Sequence, residues 1–121
     1  MRIAILGGGI AGLAAAIHLR QLGWDPVVHE RDVQRVRHGH GFILLAEGLA
    51  VLDAFGFAGA WREHGERIEH FILRRPDGTD LHEEPMVGAY GFRRSAFVEL
   101  LQRALPSDAL RMGQQIGRAH V

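Results

Sequence analysis

The sequence predicts an α/β fold: a strand–helix–strand unit with parallel strands, joined to the start of an antiparallel sheet that is left unfinished. Three observations predict it. An apolar strand, Ile3-Ala4-Ile5-Leu6, runs into a glycine turn and an alanine-rich helical stretch, and a second apolar strand follows. Between residues 66 and 92, extended segments flank a Pro-Asp-Gly-Thr turn. An amphipathic helical stretch then leads to an apolar segment suited to the first sheet.

The first strand ends at Gly7-Gly8-Gly9-Ile10-Ala11-Gly12, where Gly7, Gly9 and Gly12 supply a G-x-G-x-x-G spacing. Each glycine has its own task. Gly7 allows the tight strand-to-helix turn, Gly9 lets a pyrophosphate approach the backbone, and Gly12 lets the helix pack close. The helix opening there presents free N–H groups and the positive end of its dipole. Leu13, Ala16, Ile17 and Leu19 continue at helical spacing, and Gly23 stands where a C-terminal cap belongs. The strand at Val27-Val28 ends on Glu30, close to the roughly twenty-residue offset of an acid that binds a ribose hydroxyl. These features describe a Rossmann-like βαβ unit and a dinucleotide site.

With 121 residues, the chain has the size of one small domain. Its formal net charge of zero leaves no basic field to recruit nucleic acid or an anionic membrane. The absence of cysteine excludes disulfides, thiolate metal sites and cysteine nucleophiles, and it is compatible with the cytoplasm. Met1-Arg2 leads straight into the first strand, which leaves no room for a signal peptide, and no apolar run approaches a membrane span. The end reads differently. Ile116-Gly117-Arg118-Ala119-His120-Val121 is what ATC GGA AGA GCA CAC GTC encodes, a string resembling a short-read sequencing adapter. The expectation is that natural sequence stops near Gln115 and that the chain is the front portion of a larger protein.

Residues 31 to 45 read as a connecting loop that ends in a strand or bend, with Arg35, Arg37, His38, Gly39, His40 and Gly41 along it. On composition alone this is a solvated surface loop. A helix follows from Ala46 to Phe55, with Leu49, Leu52 and Phe55 on one face and Gly56 ending it. A second short helix is expected over Ala58 to His64, with Trp61 on its buried side. Ile68, Phe71, Ile72 and Leu73 form a strand, Pro76-Asp77-Gly78-Thr79 a turn, and Leu81 starts the return strand. Tyr90-Gly91-Phe92 reads as a third extended piece. The helix Ser95 to Leu105 carries Phe97, Leu100, Leu101, Ala104 and Leu105 on one face and is stopped by Pro106. Ala109 to Met112 is the next parallel strand. Arg93 and Arg94 sit just before that helix, and on composition alone they are solvated charges.

Three blocks carry a family resemblance. Ile5-Leu6-Gly7-Gly8-Gly9-Ile10-Ala11-Gly12-Leu13 with Glu30-Arg31 is similar to the FAD fingerprint, and the "ER" after it, of class A flavoprotein monooxygenases. Gly39-His40-Gly41-Phe42-Ile43-Leu44, leading into Gly48-Leu49 and Leu52, resembles that family's G-x-G-I-x-L segment and "NGL" helix. Arg94-Ser95-Ala96-Phe97 resembles the R-x-x-L that begins its next helix. The family includes p-hydroxybenzoate and salicylate hydroxylases. The chain departs from it in carrying Glu47 for the usual Asn, His29 at a usually apolar position and His40 for a small residue.

The resemblance implies roles. Gly7, Gly9, Ala11 and Gly12 would hold the FAD pyrophosphate, Glu30 the adenosine ribose and Arg31 the adenosine end. His40 and Gly41 would lie along the flavin, and Arg94 would contact the cofactor from the helix start. Both of the composition-based readings, for the 31 to 45 loop and for Arg94, are thereby reversed. The implied reaction is hydroxylation of a small, aromatic substrate by O₂ on FAD reduced by NAD(P)H. No Ser-His-Asp set or carboxylate pair presents itself as a catalytic centre, in keeping with a cofactor that carries the chemistry. Residues 1–115 then form the N-terminal part of an FAD-binding domain, with about 66–92 beginning a substrate sheet. The fingerprint alone does not separate FAD from NAD. The alternatives are therefore the front of an NAD(P)- or FAD-dependent reductase or dehydrogenase, or a non-catalytic fragment.

Overall fold

A computed structural model describes residues 1–32 and 40–113. The readings that fall on Arg35, Arg37, His38 and Gly39, and on the tail at 116–121, lie outside the described residues. The chain forms two compact units, one of Met1–His40 with Arg94–Val121 and the other of Gly41–Arg93.

The first unit holds a parallel sheet in the order β1-β2-β6, made of β1 (Arg2–Leu6), β2 (Asp25–Glu30) and β6 (Leu110–Met112). Its register pairs Ile3 with Pro26, Ile5 with Val28, and Val28 with Leu110. Because side chains alternate along a strand, these residues and Glu30 share one face. Helix α1 (Ile10–Gln21) packs on the sheet and against α3 (Arg94–Arg103). Leu13, Ala16 and Ile17 of α1 are buried, as are Phe97, Val98, Leu100 and Leu101 of α3. Each large apolar side chain buried in this way contributes roughly 1.5–3 kcal/mol. The end of α1 is built as its sequence directs. Gly23 takes a φ of +86°, its N–H donates to Arg20 O, and the Trp24 N–H reaches back to Leu19 O. That pair of bonds is a Schellman cap. The opposite face of the sheet, carrying Arg2, Ala4, Val27, His29 and Arg111, lines an open concavity of about 320 Å³.

The second unit holds an antiparallel sheet in the order β3-β5-β4, made of β3 (Gly41–Leu44), β4 (Gly65–Arg74) and β5 (Asp80–Arg93). Tyr90-Gly91-Phe92 is not a separate piece but the end of β5, the fourteen-residue return strand. The third strand is β3. Helix α2 (Ala46–Leu52) is shorter than its apolar spacing predicts. The chain widens into a π-turn at Asp53–Phe57, where Gly56 has a φ of +95°. Asp53 organises the loop after this turn: its Oδ1 accepts from Gly59 N at 3.0 Å and from Trp61 Nε1 at 2.8 Å. Buried Trp61, in a 3₁₀ turn at Ala60–His64, meets the Tyr90 ring edge-on at 4.8 Å and carries the Arg62 guanidinium 4.7 Å above its face.

Candidate functional site

The glycine turn of the first unit is shaped by its backbone. Gly7 adopts a φ of +106°, which an L side chain rarely tolerates, and its N–H donates to His29 O at 2.8 Å. Gly12 allows the closest approach. A Cβ there would overlap the Gly7 carbonyl oxygen and touch the Ile5 side chain. Gly9 is the N-cap of α1. No side chain caps it, and no acidic residue lies in the first turn of the helix itself. The helical bonds start with Leu13 N donating to Gly9 O, which leaves the preceding amides of the first turn without intrahelical acceptors.

Two side chains complete the arrangement. A Cβ on Gly9 would lie 3.3 Å from Arg94 Nη2, so the guanidinium stands over the turn in the space that a glycine leaves free. Arg94 is the first residue of α3, and its own N–H donates to His40 O at 3.2 Å. Glu30, at the end of β2, is only 3% exposed. Its Oε2 accepts from Gly8 N at 2.7 Å and its Oε1 from Asp32 N at 3.0 Å.

The structure thus brings Gly7, Gly9, Gly12, Glu30 and Arg94 together around one turn. Ala11 lies exposed in the first turn of α1, and Arg31 is exposed just beyond β2. His40 is exposed and joins the group through its carbonyl. Gly41 opens β3 in the second unit, opposite Arg93, where a Cβ would lie 3.3 Å from Phe92 O. Sequence reasoning missed Gly8. It is buried, and a Cβ there would come within 3.0 Å of Glu30 Cβ. The run of three glycines was the available signal, since the spacing itself asks for only two of them. In chemical terms, a ring of N–H donors and one guanidinium suits a phosphate-bearing group, and a buried carboxylate beside it suits hydroxyl donors.

Residues 1–120 match the FAD binding domain family over nearly the whole chain. The chain belongs to that family. This FAD-binding domain is 32% identical over 117 residues to monooxygenase 1 of Arabidopsis thaliana, covering 94% of this chain and 30% of that protein. It is 31% identical over 128 residues to 3-amino-4-hydroxybenzoate 2-monooxygenase of Streptomyces cremeus, covering 98% of this chain and 32% of that protein. In fold it is similar to Klebsiella pneumoniae HpxO, solved with FAD and uric acid. The TM-score is 0.81 at 20% identity, over 98% of this chain and 32% of that one. The domain therefore spans about a third of the length of these relatives. Among its described residues, no helix is long and apolar enough to cross a membrane.

Proposed function

We propose that this chain is the N-terminal FAD-binding portion of a flavin-dependent monooxygenase that hydroxylates a small aromatic substrate with NAD(P)H and O₂. The observation that carries the reading is a pairing within one short chain. A dinucleotide-type βαβ turn and an antiparallel sheet, inserted in sequence between β2 and α3, occur in a chain 31% identical to an aminohydroxybenzoate monooxygenase. The residues present fit FAD: Gly9 has no Cβ where Arg94 approaches, and the first turn of α1 carries no acidic residue.

In this reading Gly7, Gly9, Ala11, Gly12 and Arg94 hold the pyrophosphate, Glu30 receives the adenosine ribose, and Arg31 lies at the adenosine end. His40 and Gly41 border the flavin, and the sheet over about 66–92 begins the wall that receives substrate. Bound FAD supplies the redox chemistry with O₂, while the chain's own residues bind and orient it. A cysteine-free sequence suits a reducing compartment such as the cytoplasm.

The test is to recover the reading frame beyond Gln115 from the source DNA and assay the encoded protein. The expected result is a longer frame whose product binds FAD and couples NAD(P)H oxidation to one oxygen atom in an aromatic product. Hydride transfer to an acceptor other than O₂, with no oxygen incorporated, would establish the reductase reading instead. A frame that continues unchanged through the codons for 116–121 would remove the adapter explanation for that tail.

A further inference from the structure

Parallel strands exchange backbone bonds rung by rung, and the last rung between β1 and β2 is the Gly7 N–H on His29 O. Successive N–H groups of a strand point to opposite edges, so the ladder to β2 offers no carbonyl to the next donor, Gly8 N. It meets the Glu30 carboxylate instead, at 2.7 Å and buried. A side chain thus supplies the acceptor just past the last rung. The second oxygen of the same carboxylate accepts Asp32 N two residues on, where β2 has ended. One buried group therefore sets the direction in which both chains leave the sheet.

We infer that Glu30 is a positioning residue for the glycine turn, holding Gly8 and hence the N-terminus of α1 in place before any cofactor arrives. This role is separate from a contact with ribose. Buried donors left without an acceptor are costly, so the turn does not keep this shape once the carboxylate is withdrawn. The glycine at position 8 fits the same account, because Glu30 Cβ and Cγ occupy the space next to it. The consequence for cofactor uptake rests on the FAD reading proposed above; the consequence for the empty turn does not.

The experiment compares the 121-residue chain with Glu30→Ala, Glu30→Gln and Glu30→Asp. Two quantities are read: hydrogen exchange of the Gly8 amide by NMR without ligand, and affinity for inorganic pyrophosphate, which has no ribose. Glu30→Ala should speed Gly8 exchange about tenfold or more and weaken pyrophosphate to a similar degree, by loss of one buried hydrogen bond. Glu30→Gln keeps one acceptor oxygen at the same reach but turns an NH2 toward the other amide, so it should recover both in part. Should Glu30→Ala fail to fold, Glu30→Asp decides, because a side chain one methylene shorter withdraws the carboxylate and should also speed exchange. Unchanged Gly8 exchange in Glu30→Ala, or in Glu30→Asp where Glu30→Ala does not fold, overturns the inference, as does unchanged affinity in that variant where the wild-type chain binds pyrophosphate. A wild-type chain that ignores pyrophosphate yet shows the exchange pattern would leave Glu30 as the positioning residue and count against the FAD reading alone.

Discussion

The two units solve the problem of burial in opposite ways. In the parallel unit, helices lie close enough on the sheet for a glycine at position 12 to be required, and Leu13 and Val28 are fully buried. In the antiparallel unit, the outer half of the β4–β5 hairpin stays wet. Phe71 is 44% exposed and Leu73 50%, and the alternation of β4 puts both on one face. Tight backbone approach is what a nucleotide turn demands, so the unit that carries the turn packs its helical face closely. The hairpin ends in apolar side chains that nothing within its unit covers.

The largest effect should come from the tightest approach. Gly12→Ala puts a Cβ onto a backbone oxygen that cannot rotate away, so the helix must lift off the turn. A loss of about 3 kcal/mol is expected, at the top of the range for overpacking and well beyond the ~1 kcal/mol that alanine returns in helix propensity. Urea denaturation followed by circular dichroism reads it. An unchanged midpoint would mean that the parallel unit is looser than its geometry indicates.

Asp53→Ala asks how much order the antiparallel unit holds internally. The substitution removes the acceptor for Gly59 N and for Trp61 Nε1. About 2 kcal/mol should be lost, one ordinary hydrogen bond for each donor. Tryptophan fluorescence should report the loosening of Trp61 in the same titration. If the signal moves while stability does not, then the stacking of Trp61 with Tyr90 and Arg62 suffices to hold the loop.

The reach of the sequence follows the same division. Gly7, Gly9, Gly12, the α1 periodicity and the Gly23 cap are local signals, and they predict the βαβ unit. Arg94 was legible only through the R-x-x-L resemblance, because an arginine ahead of a helix has no spacing that aims it at Gly9. The bond from Gly8 to Glu30 spans twenty-two residues and leaves no periodic trace. In the second unit, β5 reads as broken because Pro85 and Gly88 act as punctuation in a sequence. The strand absorbs them: Gly88 takes a φ of +71° and the pairing shifts register between Ile68 and His70. Helix α2 stops early for a reason equally hidden, since Asp53 turns its side chain to a loop that periodicity does not describe.

A smaller effect concerns association. Phe71→Lys with Leu73→Lys places two charges on the wet face of the hairpin, the device by which natural sheets discourage pairing. The isolated chain is expected to be poorly soluble. The double variant should raise the concentration at which it self-associates about tenfold, or ~1.4 kcal/mol, by sedimentation velocity. The competing source lies in the parallel unit, where Leu6 on β1 is 65% exposed. If Leu6→Lys gives the larger gain, the contrast between the units is wrong in its main term.

The smallest effect is at the hairpin tip and isolates what a turn does without burial. Gly78 takes the left-handed conformation, Gly78 N donates to Arg75 O at 2.9 Å, and Asp77 Oδ1 accepts from Thr79 N at 2.8 Å. The backbone bond from Thr79, and then its side chain, hold the Asp77 carboxyl below the ordinary aspartate range. A depressed folded pKa means that the ionised form is the one the turn prefers. Its contribution is present above the ordinary range of about 3.9 and is lost as pH falls through the lower folded value. An NMR titration should give Asp77 a midpoint below that range, with the Thr79 amide moving in step. Asp77→Asn keeps an acceptor and should flatten the Thr79 response while leaving urea stability unchanged, because this carboxyl is fully exposed. A midpoint at the ordinary value would show that Asp77 adds nothing to a tip held by Gly78, the backbone bonds and the Arg74–Asp80 pair.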